Sequence, residues 1–281
     1  MLPSYQSRAA LLLLVTAFLC LSFGAQMVNA SLQGDSARSL TPLQLEIEKQ
    51  KNRLSSAEIE DRRDAVARLG ALHHPEASRA AVAGLRDSAA IVRATAAGAV
   101  LYLPMEESAA GLLPLLNDKD EFVRQETAYA LGKTRSRTAA ASLADLLVRE
   151  KKDGVRGAIV VALGDIGDET SVISLAQVLR PELSVATSKK RSKKKENLFV
   201  LRAAAHSLGQ IGSRAGVPAL LATLQDEQAE SDVRREAATA LGLIGDRTAL
   251  PALNGLLNAD DPYLSRAAFE ASRRIFLNVS P

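Results

Sequence analysis

The sequence predicts an all-α protein, a solenoid of about seven stacked antiparallel helix pairs. Three observations lead there. A motif recurs: "VRREAATALGLIGD" at 233–246 returns as "VRQETAYALGKTRS" at 123–136 and "VRGAIVVALGDIGD" at 155–168. Its copies are in register. The leucine that closes each motif, or its replacement, falls at Leu69, Val100, Leu131, Leu163, Leu208, Leu241 and Ser272, in steps of 31, 31, 32, 45, 33 and 31 residues. Each copy also carries two helical patterns. Val233, Ala237, Ala240, Leu241 and Ile244 share a face in the first, and Leu250, Leu253, Leu256 and Leu257 in the second. A lone helix pair of this size cannot bury its apolar face, so neighbouring copies must stack.

Taken in order, residues 1–30 read as a signal peptide. Arg8 is followed by an apolar run from Ala9 to Phe23, and Val28 and Ala30 sit where a signal peptidase needs small residues, giving a mature start at Ser31. The alternative is an uncleaved N-terminal anchor, since Ala9 to Ala30 holds no charge and could span a bilayer. The expected location is therefore exported, periplasmic or extracellular, or membrane-anchored. Cys20, the chain's one cysteine, lies in this leader, so the mature chain has neither disulfide nor thiolate metal site. Residues 31–54 read as a tether and an N-terminal capping helix, "TPLQLEIEKQKNRL", begun by Thr41 and Pro42.

Residues 55–281 hold the repeats. Gly167, Gly212 and Gly245 stand where a first helix ends in a left-handed residue, and Asp168, Ser213 and Asp246 follow as caps for the second. In the first copy His74 takes the capping place and Pro75 starts the helix, so "HHPE" reads as a turn and not as a metal cluster. His206 reads as a helix-surface residue. The alanines, with Gly164, Gly209 and Gly242, predict helices that approach closely. The last helix, "DPYLSRAAFEASRRIF", has Ser272-Arg273 in place of Leu-Gly and is expected to be a polar terminal cap.

Arg62, Arg93, Arg124, Arg156 and Arg234 all lie seven residues before the leucine position. A residue repeated at fixed phase serves the repeat, so these five are expected to form a structural ladder, hydrogen-bonding to inter-repeat turns that carry Asp87, Asp118, Asp120, Asp153 and Asp232. Phe122, Phe199 and Tyr263, nine before the leucine position, are expected in the core. Two before it the copies read Ala67, Gly98, Tyr129, Val161, His206, Thr239 and Glu270, a column that tolerates anything. It is either unconstrained surface or a recognition column, with Tyr129, His206, Thr239 and Glu270 as its candidate residues.

The irregular step contains an insertion at 181–196. Its run Ser188 to Glu196 nets +5 through Lys189, Lys190, Arg191, Lys193, Lys194 and Lys195, while the rest of the mature chain sums to −3. The body is thus not a basic surface, which argues against a nucleic-acid wrapper. The run is either a linker or a hook for an anionic polymer or lipid headgroups.

These residues resemble the short HEAT-like repeats of phycobilisome lyases, from Ser55 to Phe276. The resemblance implies the fold but not one function: relatives include chromophore lyases, the metal-dependent deoxyhypusine hydroxylase and proteins that only bind partners. The hydroxylase carries His-Glu iron ligands just after the first-helix arginine. The matching pairs here are Gln125-Glu126, Arg235-Glu236 and Arg63-Asp64, none with its histidine. Nothing picks out a bilin pocket either. The expected function is a non-catalytic, monomeric protein-binding module of the cell envelope, with an unidentified protein partner, no cofactor, no metal and no catalytic residue. A metal-dependent hydroxylase, a bilin-lyase-like enzyme and a polyanion binder are the alternatives.

Overall fold

The computed structural model describes residues 40–180 and 196–277. The expected leader, most of the tether and the basic residues Lys189 to Lys195 lie outside the described residues. The chain divides into two units, Met1–Glu46 and Ile47–Pro281. Helix α1, Pro42–Arg53, straddles the boundary. Its start is a capping box: Thr41 Oγ1 accepts from the Gln44 N–H at 3.2 Å, and Gln44 Oε1 accepts from the Thr41 N–H at 3.0 Å.

In the larger unit, first and second helices alternate. The first helices are α2 (Ile59–Ala71), α4 (Ala90–Ala99), α6 (Glu121–Thr134), α8 (Asp153–Ile166), α10 (Leu198–Ile211), α12 (Ser231–Ile244) and α14 (Pro262–Leu277). The second helices are α3 (Pro75–Ala81), α5 (Met105–Leu112), α7 (Ala140–Arg149), α9 (Val172–Leu179), α11 (Val217–Gln225) and α13 (Leu250–Asn254). Six copies are complete pairs, and the seventh contributes its first helix among the described residues. Each first helix packs on the next, forming one continuous layer, with the second helices against it. No described helix is long and apolar enough to cross a membrane.

The turn between the two helices of a copy follows from its sequence. Gly167, Gly212 and Gly245 have φ of 70°, 73° and 77°, a left-handed geometry that L side chains resist. Arg135 and His73 occupy the same place in two other copies, at 54° and 50°. Asp168, Ser213 and Asp246 then accept backbone N–H bonds two residues on, starting a short 3₁₀ turn that leads into the second helix. His74 does the same through Nδ1, at 3.2 Å from the Glu76 nitrogen.

The first-helix layer is tight because the residue after the leucine position is small. A Cβ added to Gly242 would lie 2.7 Å from Ala271 Cα, and one on Gly209 2.9 Å from Ala240 Cα. Each glycine thus receives the alanine that precedes the leucine position in the next copy. The leucines themselves, Leu69, Leu131, Leu163, Leu208 and Leu241, are fully buried. Where Leu101 replaces the glycine, α4 stops at Ala99, one residue before the leucine position, whereas α6 runs three residues past it to Thr134.

Three expectations are corrected. Phe122, Phe199 and Tyr263 are not core: they are 45%, 52% and 68% exposed. They stand in the first turn of their helices, on the side that no second helix covers, so small neighbours rather than large ones fill the layer's interior. The second helix "TALPALNGLL" ends at Asn254, leaving Leu256 half-buried and Leu257 exposed, although Leu253 is buried. The last helix is not wholly polar. Phe269, on α14, is exposed three residues before the leucine position, where the six other copies place a buried Val or Ala. α13 packs on α14, but no second helix follows α14 among the described residues.

Candidate functional site

Two classes of side chain repeat along the unit, and their geometry separates them. The arginines hold the frame. Arg62 donates through Nε to Asp87 at 2.7 Å and through Nη2 at 3.0 Å, while its Nη1 donates to the carbonyls of Ser56 and Ala57. Arg93 repeats this with Asp118 at 2.7 and 2.8 Å and with the carbonyls of Asp87 and Ser88. Arg124 reaches Glu150 at 2.7 Å and the carbonyls of Asp118 and Lys119. Arg156 pairs with Glu196 and bonds the Leu147 carbonyl at 2.7 Å. Each arginine therefore ties the turn before its own helix to the turn after its own copy.

These pairs are largely withdrawn from water, which makes their hydrogen bonds charge-assisted and directional. The Arg62 and Arg93 guanidinium groups hold Asp87 and Asp118 below the usual carboxylate range. Burial pushes Glu150 up, but Arg124 and the N–H groups of Lys151 and Lys152 more than offset it.

The ladder departs from the expected pattern in two ways. Arg234 meets no acid in these bonds: its Nε donates to the Leu224 carbonyl at 3.0 Å. The turn after α11 is longer, and the rung passes to the next residue, Arg235, which reaches Asp261 at 2.8 and 2.9 Å. Arg180, not a first-helix residue, takes Asp226 at 2.9 Å. The acceptors also differ. Asp120 caps α6, Asp153 accepts from Asn197 at 3.5 Å, and Asp232 accepts from Arg235. Glu150 and Glu196 were missed in the sequence because glutamates stand where earlier copies have aspartate. Their place, 13 and 12 residues before the leucine position, was the available signal.

The second class is the varying column. Ala67, Gly98, His206, Thr239 and Glu270 are exposed, and Tyr129 and Val161 are half-buried. The column runs along the first-helix layer together with the exposed aromatics. Between α8 and α10 it forms a groove of about 460 Å³. Val161, Phe199 and Ala203 supply its apolar part, Lys133 and Arg202 its cations, and His206 an imidazole. Phe199 lies against α8 because residue 157 is glycine: a Cβ there would sit 2.5 Å from the ring.

Charge in the groove is layered. Lys133 meets Asp165 at 3.1 Å with side chains 66% and 21% exposed, and His206 Nδ1 meets Glu236 at 2.8 Å with 53% and 23%. The acids lie deeper, and Lys133 and the His206 imidazole form the outer surface. Arg202 is the most loosely held, 4.0 Å from Asp232. Thr239 turns its hydroxyl back to the Arg235 carbonyl, and Glu270 pairs with Arg266 at 2.8 Å. A second groove, about 490 Å³, lies at the turns and is lined by Arg124 and Glu150 with Arg149 and Lys152. Arg124 and Glu150 are already committed to the ladder.

Two of the three pairs matching the hydroxylase's iron ligands are otherwise employed, and the third, Gln125-Glu126, has no histidine. Arg235 binds Asp261 and lies 5.0 Å from the Tyr263 ring centroid, Arg63 pairs with Glu60 at 2.9 Å, and Glu236 is taken by His206. Among the described residues no three His, Cys, Asp or Glu side chains gather as a metal would require. His73 instead stacks on Tyr102, ring centroids 4.7 Å apart.

A layer of in-register helix pairs, clamped through its turns and varied along one exposed face, defines a helical-repeat protein. The family model for HEAT repeats matches residues 78–164, 109–188 and 190–274, and the chain belongs to that family. Solved structures agree in fold. The Escherichia coli protein YibA aligns at 18% identity over 82% of each chain, TM-score 0.57. An engineered protein aligns at 22% identity over 82% of this chain and 68% of its own, TM-score 0.51. The complex of CpcE and CpcF of phycocyanin lyase from Nostoc sp. PCC7120 aligns at 23% identity over 86% of this chain and 97% of its own, TM-score 0.47, too low to carry an argument. No curated protein matches the sequence.

Proposed function

We propose that this chain is a non-catalytic protein-binding module of the cell envelope, exported through its leader, which holds a protein partner against the exposed first-helix face. One observation carries the reading. Along a single layer, the columns that repeat are buried and bonded to one another, whereas the column two before the leucine position is solvent-facing and different in every copy. A solenoid needs the former to stack and leaves the latter free to recognise. The groove between α8 and α10 adds an apolar part with Lys133 and Arg202 exposed beside it, which suits a segment carrying both an apolar side chain and carboxylates. The basic run at 188–196 would add a salt-sensitive contact to an anionic polymer or lipid headgroups.

The test is site-specific photocrosslinking in cells. A crosslinker at Thr239 or Glu270, on the first-helix face, is expected to capture a discrete protein. One at Val148 or Ile173, exposed on second helices, is expected not to. Capture from the second-helix positions alone would reverse the assignment. Stoichiometric iron in the purified protein would replace it with an enzyme.

A further inference from the structure

Among the described residues, one carboxylate of the first-helix face has nothing to pair with. Glu126 of α6 is half-buried, and burial alone acts on it, pushing its carboxyl above the usual range with no donor or cation opposing. A charge desolvated without compensation is costly, and a cation arriving from outside would offset that cost. The comparison with α12 is direct. Glu236, also five residues before the leucine position, is met by His206 of the preceding first helix at 2.8 Å. The same register sets Gly98 of α4 opposite Glu126. Gly98 offers no side chain, and a Cβ built there would meet nothing within 4 Å. Gln125 does not fill the space, because its amide lies over Gly154 of α8, on the opposite side.

The surroundings suit a cation on a long stem. Phe122 and Tyr129 flank Glu126 one turn before and one turn after on the same face, and Phe122 is 45% exposed. Ile91 of α4, in the same column as Phe122, is also exposed. Aromatic faces attract guanidinium and ammonium groups, a carboxylate gives the charge-assisted bond, and an aliphatic stem can lie over bare backbone. A lone carboxylate gives too few ligands for a metal ion.

Resting on the reading that this face binds a protein, we infer that the notch between α4 and α6 receives a lysine or arginine side chain of the partner, its cation against Glu126 and its stem over Gly98.

The probe is a dye-labelled oligolysine peptide, followed by anisotropy at about 0.15 M salt, where long-range attraction is screened. Wild type is compared with Glu126→Gln, with Gly98→Lys, which supplies an internal cation, and with Asp64→Asn, an acid of the same column already paired with Arg63. Melting curves establish that each variant folds. The expected result is an affinity loss of about tenfold or more for Glu126→Gln and Gly98→Lys, as for one charge-assisted bond, with Asp64→Asn unchanged. Wild-type binding by Glu126→Gln, or equal losses in all three, would overturn the site. If Thr239 still crosslinks a protein in that case, the notch fails and the partner-binding reading stands. If Thr239 captures nothing, it is the broader reading that fails.

Discussion

At the scale of single residues, the recurring arginine carries geometry. Arg93 spans two turns by satisfying two carbonyls on one and a bidentate carboxylate on the other, so truncation leaves several buried acceptors unpaired. Arg93→Ala is expected to cost about 1–3 kcal/mol, read as a lowered denaturation midpoint. Arg234→Ala, which in these bonds loses only a carbonyl partner, is expected to cost less than Arg93→Ala in the same assay. The two acids that this ladder and the notch use behave oppositely with pH. Asp118 is depressed in the fold, so its contribution is present above the unfolded value of about 3.9 and is lost as pH falls through the lower folded value. Asp118→Asn should flatten the acid limb of the stability profile. Glu126 is raised, so the fold favours its protonated form. Glu126→Gln should therefore stabilise at neutral pH, with the gain fading as pH falls through the raised folded value and gone below the unfolded value of about 4.3. The ladder arginines were visible from phase alone. Their acceptors were only half visible, since a turn two residues longer or a glutamate for an aspartate changes which side chain arrives.

At the scale of helices, small residues set the spacing. A side chain on Gly242 would strike Ala271 backbone, so Gly242→Val should push α12 from α14 and cost about 1–3 kcal/mol in thermal or denaturant unfolding. Gly98→Ala meets open space in a helix of ordinary handedness and should stabilise by about 0.5–1 kcal/mol. Equal effects from the two substitutions would mean that the helix contact does not depend on the glycine. Period and turn chemistry made the helices legible in order and nearly in length. The exposed aromatics were not legible, because a helix start bearing Phe or Tyr reads alike whether it faces a neighbour or water. The same ambiguity hid the apolar surface of α14, where the polar Ser272-Arg273 replacement falls on one side of the helix and Phe269 and Phe276 remain exposed.

For the molecule as a whole, constant columns and varying columns do separate work. The first make a stack from copies that would not fold singly, and the second leave a face whose side chains differ from one helix to the next. The sequence showed which columns vary, but not that Phe199 would be pinned over Gly157 beside them to form a groove, nor that Gly98 would leave Glu126 unmatched. Those depend on pairings across copies, which register alone does not reveal until side-chain directions are known. The most direct test of this division of labour measures melting and partner crosslinking together in two variants. Arg93→Ala should lower the melting temperature while leaving crosslinking from Thr239 intact below that temperature. Arg202→Glu, on the exposed groove, should leave melting unchanged and abolish the crosslink. The account would be contradicted if Arg93→Ala lost the crosslink while still fully folded and Arg202→Glu kept it.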